Sequence, residues 1–325
     1  MLQVPTLHDV LRARRVIAPF LQPTPLVHSR GVSRLLECEA HLKLETVQPI
    51  GAFKVRGGLN YMAHLDPADR ARGVITASTG NHGQSIAYAA RQFGIPCTIG
   101  APEGSNPLKV AAMRDLGAQV VLTGVDFDAA RIWVEGEARA RGLRYVHSAN
   151  EPLLLAGVGT LSLEVMEALP DAEVILVPVG AGSGACGHCI VAKAINPRIQ
   201  VIGVQAERAP AVTRSWREKR LLEEPSADTL AEGLATRVAF ELTLSILWQG
   251  LDDMVLVSEQ ELRAAVAGML EHGRVLAEPA GAAPLAAALQ LRDRLRGRKV
   301  VLIVSGGNIA MDQLRAILSD TPQGS

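Results

Sequence analysis

Apolar and polar positions along the chain switch repeatedly between two periods, and the switches mark the elements. Val10, Leu11 and Ile17 recur at helical spacing behind Thr6, a capping residue, which predicts a helix over 6–20 that Gln22-Pro23-Thr24-Pro25 ends. His41-Leu42-Lys43-Leu44-Glu45 alternates as a strand does. From there strand, Gly-rich turn and helix repeat. Strands are expected at 74–77, 97–100, 119–122, from 145, and at 174–179, 201–204 and 300–304. Helices are expected at 84–94, 106–117, 127–141, 158–168, 259–272 and 281–295. Such alternation implies parallel sheets covered by helices on both faces. The short elements between 52 and 147 are numerous enough for a sheet of their own, so the chain reads as two α/β domains. Ligands of such sheets bind beyond the carboxyl ends of the strands, where Gly-rich turns follow residues 77, 179 and 304.

Composition narrows the function. The chain has 325 residues, 48% of them hydrophobic, which is enough for a real core and too much for a disordered protein. Lys+Arg and Asp+Glu are both 33, so a net charge of zero gives no electrostatic footprint for nucleic acid or an anionic membrane. Four cysteines are too few for a disulfide scaffold. The N-terminus carries charges where a signal peptide is apolar, and no long uncharged run suggests a membrane span. A cytoplasmic protein is expected.

Several segments carry chemistry. Gly180-Ala181-Gly182-Ser183-Gly184 follows an apolar strand and opens a helix. Small residues let main-chain N–H groups approach an anion at the positive end of the helix, so this reads as a phosphate cradle. The overlapping Gly182–Gly187 also matches the dinucleotide fingerprint, but the next strand ends in Val204-Gln205 without the acidic ribose partner. Cys186-Gly187-His188-Cys189 is a C-x-x-C pair, and the segment 182–189 leaves a dinucleotide- or thiol-dependent oxidoreductase as a remote alternative. Lys54, between Phe53 and the apolar face of Leu59 and Met62, is placed to lose its proton and act as a nucleophile.

Phe53-Lys54-Val55-Arg56-Gly57, Ser78-Thr79-Gly80-Asn81-His82-Gly83-Gln84, the glycine loop 180–184, Glu278-Pro279-Ala280-Gly281 and Ser305-Gly306-Gly307-Asn308 occur in that order. Together they resemble fold-type II pyridoxal phosphate (PLP) enzymes of the threonine/serine dehydratase and serine racemase group, from about Thr24 to Asn308. The resemblance implies an α/β, tryptophan synthase β-like fold with parallel-rich sheets flanked by helices. A small domain, 52–147, would be inserted in a large cofactor-binding domain made of 1–51 and 148–325.

The resemblance also implies roles. Lys54 would be the Schiff-base lysine and the base for the substrate α-proton. Phe53 would pack beside the cofactor, Asn81 would bond the ring's 3′ oxygen, and Gly180, Ala181, Gly182, Ser183 and Gly184 would hold the phosphate. Ser305 would bond the pyridine nitrogen. Glu278 would face the cofactor or cap the helix after it. Ser78, Thr79, Gly80, Asn81 and His82 would receive the substrate carboxylate. The substrate's side chain would lie partly near Ala231–Ala235. The implied activity is dehydration and deamination of L-threonine or L-serine to a 2-oxo acid and ammonia, by α-proton abstraction and loss of the β-hydroxyl. The alternative is an amino-acid racemase, or a dehydratase for phenylserine or hydroxyaspartate. Thr79 bears on the racemase, because its hydroxyl could serve as a second acid/base on the opposite cofactor face. The divalent-metal site of racemase-like members falls on Gln205, Ala209 and Ala211, none of which offers a carboxylate, so no metal is expected there. A homodimer or homotetramer is the family's common form.

Overall fold

The structure is a computed structural model and describes residues 3–320. Its ten strands are β1 (Leu26–His28), β2 (Glu39–Leu44), β3 (Val74–Ala77), β4 (Cys97–Ala101), β5 (Gln119–Leu122), β6 (Arg144–Tyr145), β7 (Val174–Pro178), β8 (Gln200–Ala206), β9 (Asp253–Val257) and β10 (Lys299–Val304). They form two sheets. The chain divides into two compact units accordingly: one holds the segment up to Leu21 with Lys54–Val158, the other Gln22–Phe53 with the segment from Gly159.

The first unit carries the sheet β5-β4-β3-β6, parallel throughout. β3 and β4 are buried along their whole length, as helix-covered central strands must be. The N-terminal helix Leu7–Ile17 opens with a full capping box between Thr6 and Asp9, and just beyond its end Phe20 packs on Phe93, with ring centroids 5.2 Å apart. The helices Val55–Ala63 and Asn81–Gln92 pack closely. Gly58 permits this, because a Cβ there would meet Ser85 Oγ at 2.5 Å and its carbonyl oxygen at 2.7 Å.

The second unit carries the sheet β1-β2-β10-β7-β8-β9, in which only β1 and β2 are antiparallel. Its core joins β2, β7, β8 and β10 to the Ala-rich helix Pro279–Gln290, whose small side chains bring it close to the sheet. β7 and β10 end at the segments 179–184 and 305–308, so both glycine-rich turns stand at the carboxyl edge of this one sheet.

Several elements differ from the expected bounds. The helix expected from 158 begins at Pro152, and the one expected from 84 begins at Asn81. The helix expected over 259–272 gives way at Met269 to a π-helical turn, Met269–Gly273. The one expected over 281–295 is Pro279–Gln290 followed by a separate turn, Arg292–Leu295. The strand expected from 145 is Arg144–Tyr145. His147 lies beyond it, where its Nδ1 accepts the Ala149 and Asn150 N–H groups and turns the chain.

Candidate active site

In the second unit the chain leaves β7 through Val179 and Gly180 and enters the helix Ser183–Ile195 at Gly182. Gly182 takes φ +96°, a left-handed conformation that side chains resist. The first intrahelical bond runs from Cys186 N–H to the Gly182 carbonyl at 2.9 Å, so the preceding N–H groups form the helix's anion-facing end. A Cβ on Gly180 would run into the Gly233 carbonyl oxygen. The 3-10 turn Glu232–Leu234 therefore backs directly onto the loop.

From Gly233 the contacts close a circuit. A Cβ on Gly233 would meet Ala280 Cβ at 2.8 Å and lie 3.9 Å from Glu278 Oε1. Glu278 is at the N-cap position of Pro279–Gln290, yet its side chain makes no capping bond. Its N–H donates to the Gly306 carbonyl at 3.0 Å, and its Oε1 would be 2.7 Å from a Cβ on Gly306. The Ser305 carbonyl accepts Phe53 N–H at 3.0 Å, and the Phe53 ring stands 3.6 Å from where a Cβ of Gly184 would be. Asn308 Nδ2 donates to the Ile50 carbonyl at 2.8 Å, fastening the segments 50–53 and 305–308 to each other. Gly180, Glu278, Ser305, Phe53 and Gly184, named from the sequence, thus share one rim, with N–H donors at one end and a buried serine at the other. That donor set and that intolerance of a Cβ fit a cofactor with a phosphate tail and a flat ring. Gly233 joins the rim without having been assigned a role; its only sequence signal is its place in Ala231–Ala235.

Lys54 follows Phe53 directly and is the N-cap of the helix Val55–Ala63 in the first unit. Its carbonyl accepts Ser85 Oγ–H at 2.6 Å, which ties it to the helix Asn81–Gln92. Part of the residue's surface stays exposed, but its amine is enclosed, and burial pulls its pKa down to about 8. The loop before Asn81–Gln92 is held by Ser78, whose Oγ accepts Gly80 N–H at 3.1 Å and Gly83 N–H at 2.8 Å. Ser78 therefore braces the loop with its side chain, while Thr79, Gly80 and Asn81 stay partly exposed. Among the described residues no acceptor meets the N–H of Thr79 or His82. The loop presents donors to an anion.

Two other sequence motifs take different parts. Cys186 and Cys189 are buried; burial pushes the Cys189 thiol up to about 12 and the Cys186 thiol well above its ordinary value. Disulfide exchange needs a thiolate, so the C-x-x-C pair is packing. Iodoacetamide is expected to leave both thiols unmodified in the native protein and to label both after unfolding; rapid native labelling would restore the thiol reading. Gln205 Oε1 accepts both the N–H (2.9 Å) and the hydroxyl (2.8 Å) of Thr213. The described residues hold no group of three His, Cys, Asp or Glu able to bind a metal.

The model of the family described as "Pyridoxal-phosphate dependent enzyme" matches residues 17–306. An L-threonine ammonia-lyase of Thermotoga maritima is 40% identical over 97% of this chain and 78% of its own length. Among solved structures, maize serine racemase superposes with a TM-score of 0.92 at 29% identity, covering 98% of each chain. The processed form of threonine deaminase isoform 2 from Solanum lycopersicum also gives 0.92 at 29% identity, covering 99% of this chain and 97% of its own.

Proposed function

Because the chain belongs to the family of pyridoxal-phosphate dependent enzymes, we propose that it deaminates a β-hydroxy amino acid, L-threonine or L-serine, to a 2-oxo acid and ammonia. The observation that carries this is an enclosed amine of low pKa, Lys54, one peptide bond from the Gly180–Phe53–Ser305 rim. The names of the threonine ammonia-lyase and threonine deaminase relatives support the substrate class.

Bound PLP supplies an electron-withdrawing ring that acidifies the α-hydrogen of an attached amino acid. Lys54 Nζ would hold the cofactor at its carbonyl carbon and would take the substrate's α-proton; an amine with a pKa of about 8 is partly neutral at physiological pH. Gly180, Ala181, Gly182, Ser183 and Gly184 would hold the phosphate through main-chain N–H groups, and Phe53 would flank the ring. Asn81 would bond the ring's 3′ oxygen. The Thr79 and His82 N–H groups, with Ser78 and Gly80, hold the substrate carboxylate and fix the α-hydrogen toward Lys54. Ser305 would meet the pyridine nitrogen with a hydroxyl, a neutral partner that draws less charge into the ring than a carboxylate would. Prompt loss of a β-hydroxyl suits such a site better than transamination.

Racemisation is the second reading, favoured by the partly exposed Thr79 hydroxyl and by the likeness to maize serine racemase. The enzyme is proposed to be cytoplasmic and to work as a homodimer or homotetramer; no described helix is long and apolar enough to cross a membrane. The test is to incubate the holoenzyme separately with L-threonine, L-serine, L-phenylserine and L-hydroxyaspartate and to measure 2-oxo acid and ammonia. Equal yields of both products from threonine or serine are expected. D-amino acid without ammonia would transfer the chain to the racemase reading, and no turnover of any of them would overturn the proposal.

A further inference from the structure

An imidazole in a substrate loop invites the role of general acid or base. The ring of His82 is committed elsewhere. His82 is only 8% exposed, and its Nε2 lies 3.0 Å from Thr76 Oγ1. Thr76 Oγ1 in turn donates to the Val146 carbonyl at 2.8 Å. A hydroxyl has a single proton, so Oγ1 accepts from His82 and Nε2 carries the hydrogen. Thr76 belongs to β3; Val146 follows β6, with its N–H on the Ile75 carbonyl at 2.9 Å. One line of hydrogen bonds therefore runs from the loop, through the strand that precedes it, to the neighbouring strand.

We propose that His82 is a positioning residue whose ring N–H pins the loop Ser78–His82 to the β3–β6 seam and carries no proton in the reaction. The proposal rests on the reading that this loop receives the substrate carboxylate. By anchoring the ring, the seam sets the direction of the Thr79 and His82 main-chain N–H groups. The environment agrees. Burial first, then Lys54 at the start of Val55–Ala63 and, last, His147 beyond β6 lower the pKa of the ring to about 3, against the Val146 carbonyl, which favours the protonated form. His147 itself is kept low by burial and by Arg131, against Glu135, on the helix Phe127–Arg141. The ring is therefore neutral at physiological pH.

Glutamine at this position retains an N–H near Nε2, whereas leucine retains bulk alone. His82→Leu is expected to raise KM for the amino acid about tenfold, the worth of one buried hydrogen bond, with kcat within about threefold of wild type. His82→Gln is expected to recover most of that loss. The acid limb of the kcat/KM profile should stay where it is in both variants. Thr76→Val should reproduce the KM effect, and the double variant should be no worse than either single one. Independently of turnover, ring ¹⁵N spectra of the holoenzyme should show one histidine protonated at Nε2 alone and unchanged between about pH 5 and 9. The proposal is overturned if that ring titrates or bears its proton on Nδ1. It is equally overturned if His82→Gln loses kcat as fully as His82→Leu and shifts the acid limb. If wild type turns over no β-hydroxy amino acid, the functional reading fails, while the spectra still decide the ring's tether.

Discussion

Replacing Lys54 by alanine is expected to lower turnover at least about a thousandfold and to leave the protein without the yellow colour of bound PLP. Phe53, which precedes it, keeps its main-chain bond to Ser305 and its ring against Gly184 whatever residue follows, so the phosphate rim should survive. What is lost is the amine. The same burial that primes the amine has a cost that can be measured in cofactor-free protein. The pKa of Lys54 falls from its ordinary 10.5 to about 8. Between those values the unfolded chain binds a proton that the folded chain does not, so stability rises with pH across that window and the penalty is complete below about 8. Lys54→Met removes the charge and keeps the bulk. Cofactor-free Lys54→Met should therefore melt about 1–2 °C above cofactor-free wild type at neutral pH for each ~1 kcal/mol relieved. The gap should close as pH approaches 10.5, the ordinary lysine value. Full activity in Lys54→Ala would remove the account's centre, and a lower melting point for Lys54→Met at neutral pH would show that the amine is not held at a cost.

Lys43→Met is expected to destabilise the protein by about 3–5 kcal/mol, because it removes one member of a mostly buried ion pair inside the second unit. Lys43 is 1% exposed, and its Nζ donates to the Thr24 carbonyl and to Glu164 Oε2, each at 2.6 Å. Glu164 also accepts Thr24 N–H at 3.1 Å. Glu45, fully buried, accepts the Thr24 hydroxyl at 2.5 Å and Gln48 Nε2 at 3.3 Å. Without the ammonium, Glu164 loses a charged donor held at 2.6 Å. His188 could not replace it: burial holds its pKa at about 3. Denaturant midpoints of Lys43→Met and of Lys43→Met/Glu164→Leu measure the effect. The double variant should regain part of the loss, since it removes both members of the pair. A loss under about 1 kcal/mol in the single variant would show that the pair is hydrated and expendable.

How far these features could be read from the sequence depends on how local their cause is. β3, β5 and the helix Phe127–Arg141 have the bounds their residues announce, because Gly73, Gly117 and Gly142 and the capping Asp126 punctuate them. The first turns of Pro152–Ala168 were invisible for the opposite reason. Leu153, Leu154 and Leu155 are apolar in succession, and a stretch without a polar face shows no helical period. Asn81–Gln92 starts inside the glycine-rich loop because Ser78 takes Gly83 N–H and lets the helix begin early. In the site, the residues that carry chemistry stand in short motifs and were legible as such. Their supports were not. The tether from Thr76 to Val146 spans two strands, and Lys43 meets Glu164 across the length of the inserted unit's sequence; no spacing rule connects either pair. Gly233 is pressed against Gly180 from a turn that looks like any other loop.

The most direct test is a proton NMR time course of L-threonine with the holoenzyme in D₂O, with ammonia assayed in the same samples. The spectra follow the α-hydrogen and the appearance of 2-oxobutyrate, and the assay follows the amino group, whose own protons exchange with solvent deuterium. The account gives equal growth of 2-oxobutyrate and ammonium as threonine disappears, with the signal lost in Lys54→Ala. Threonine that persists with deuterium at its α-carbon and releases no ammonium would contradict it, since proton abstraction would then lead to no elimination.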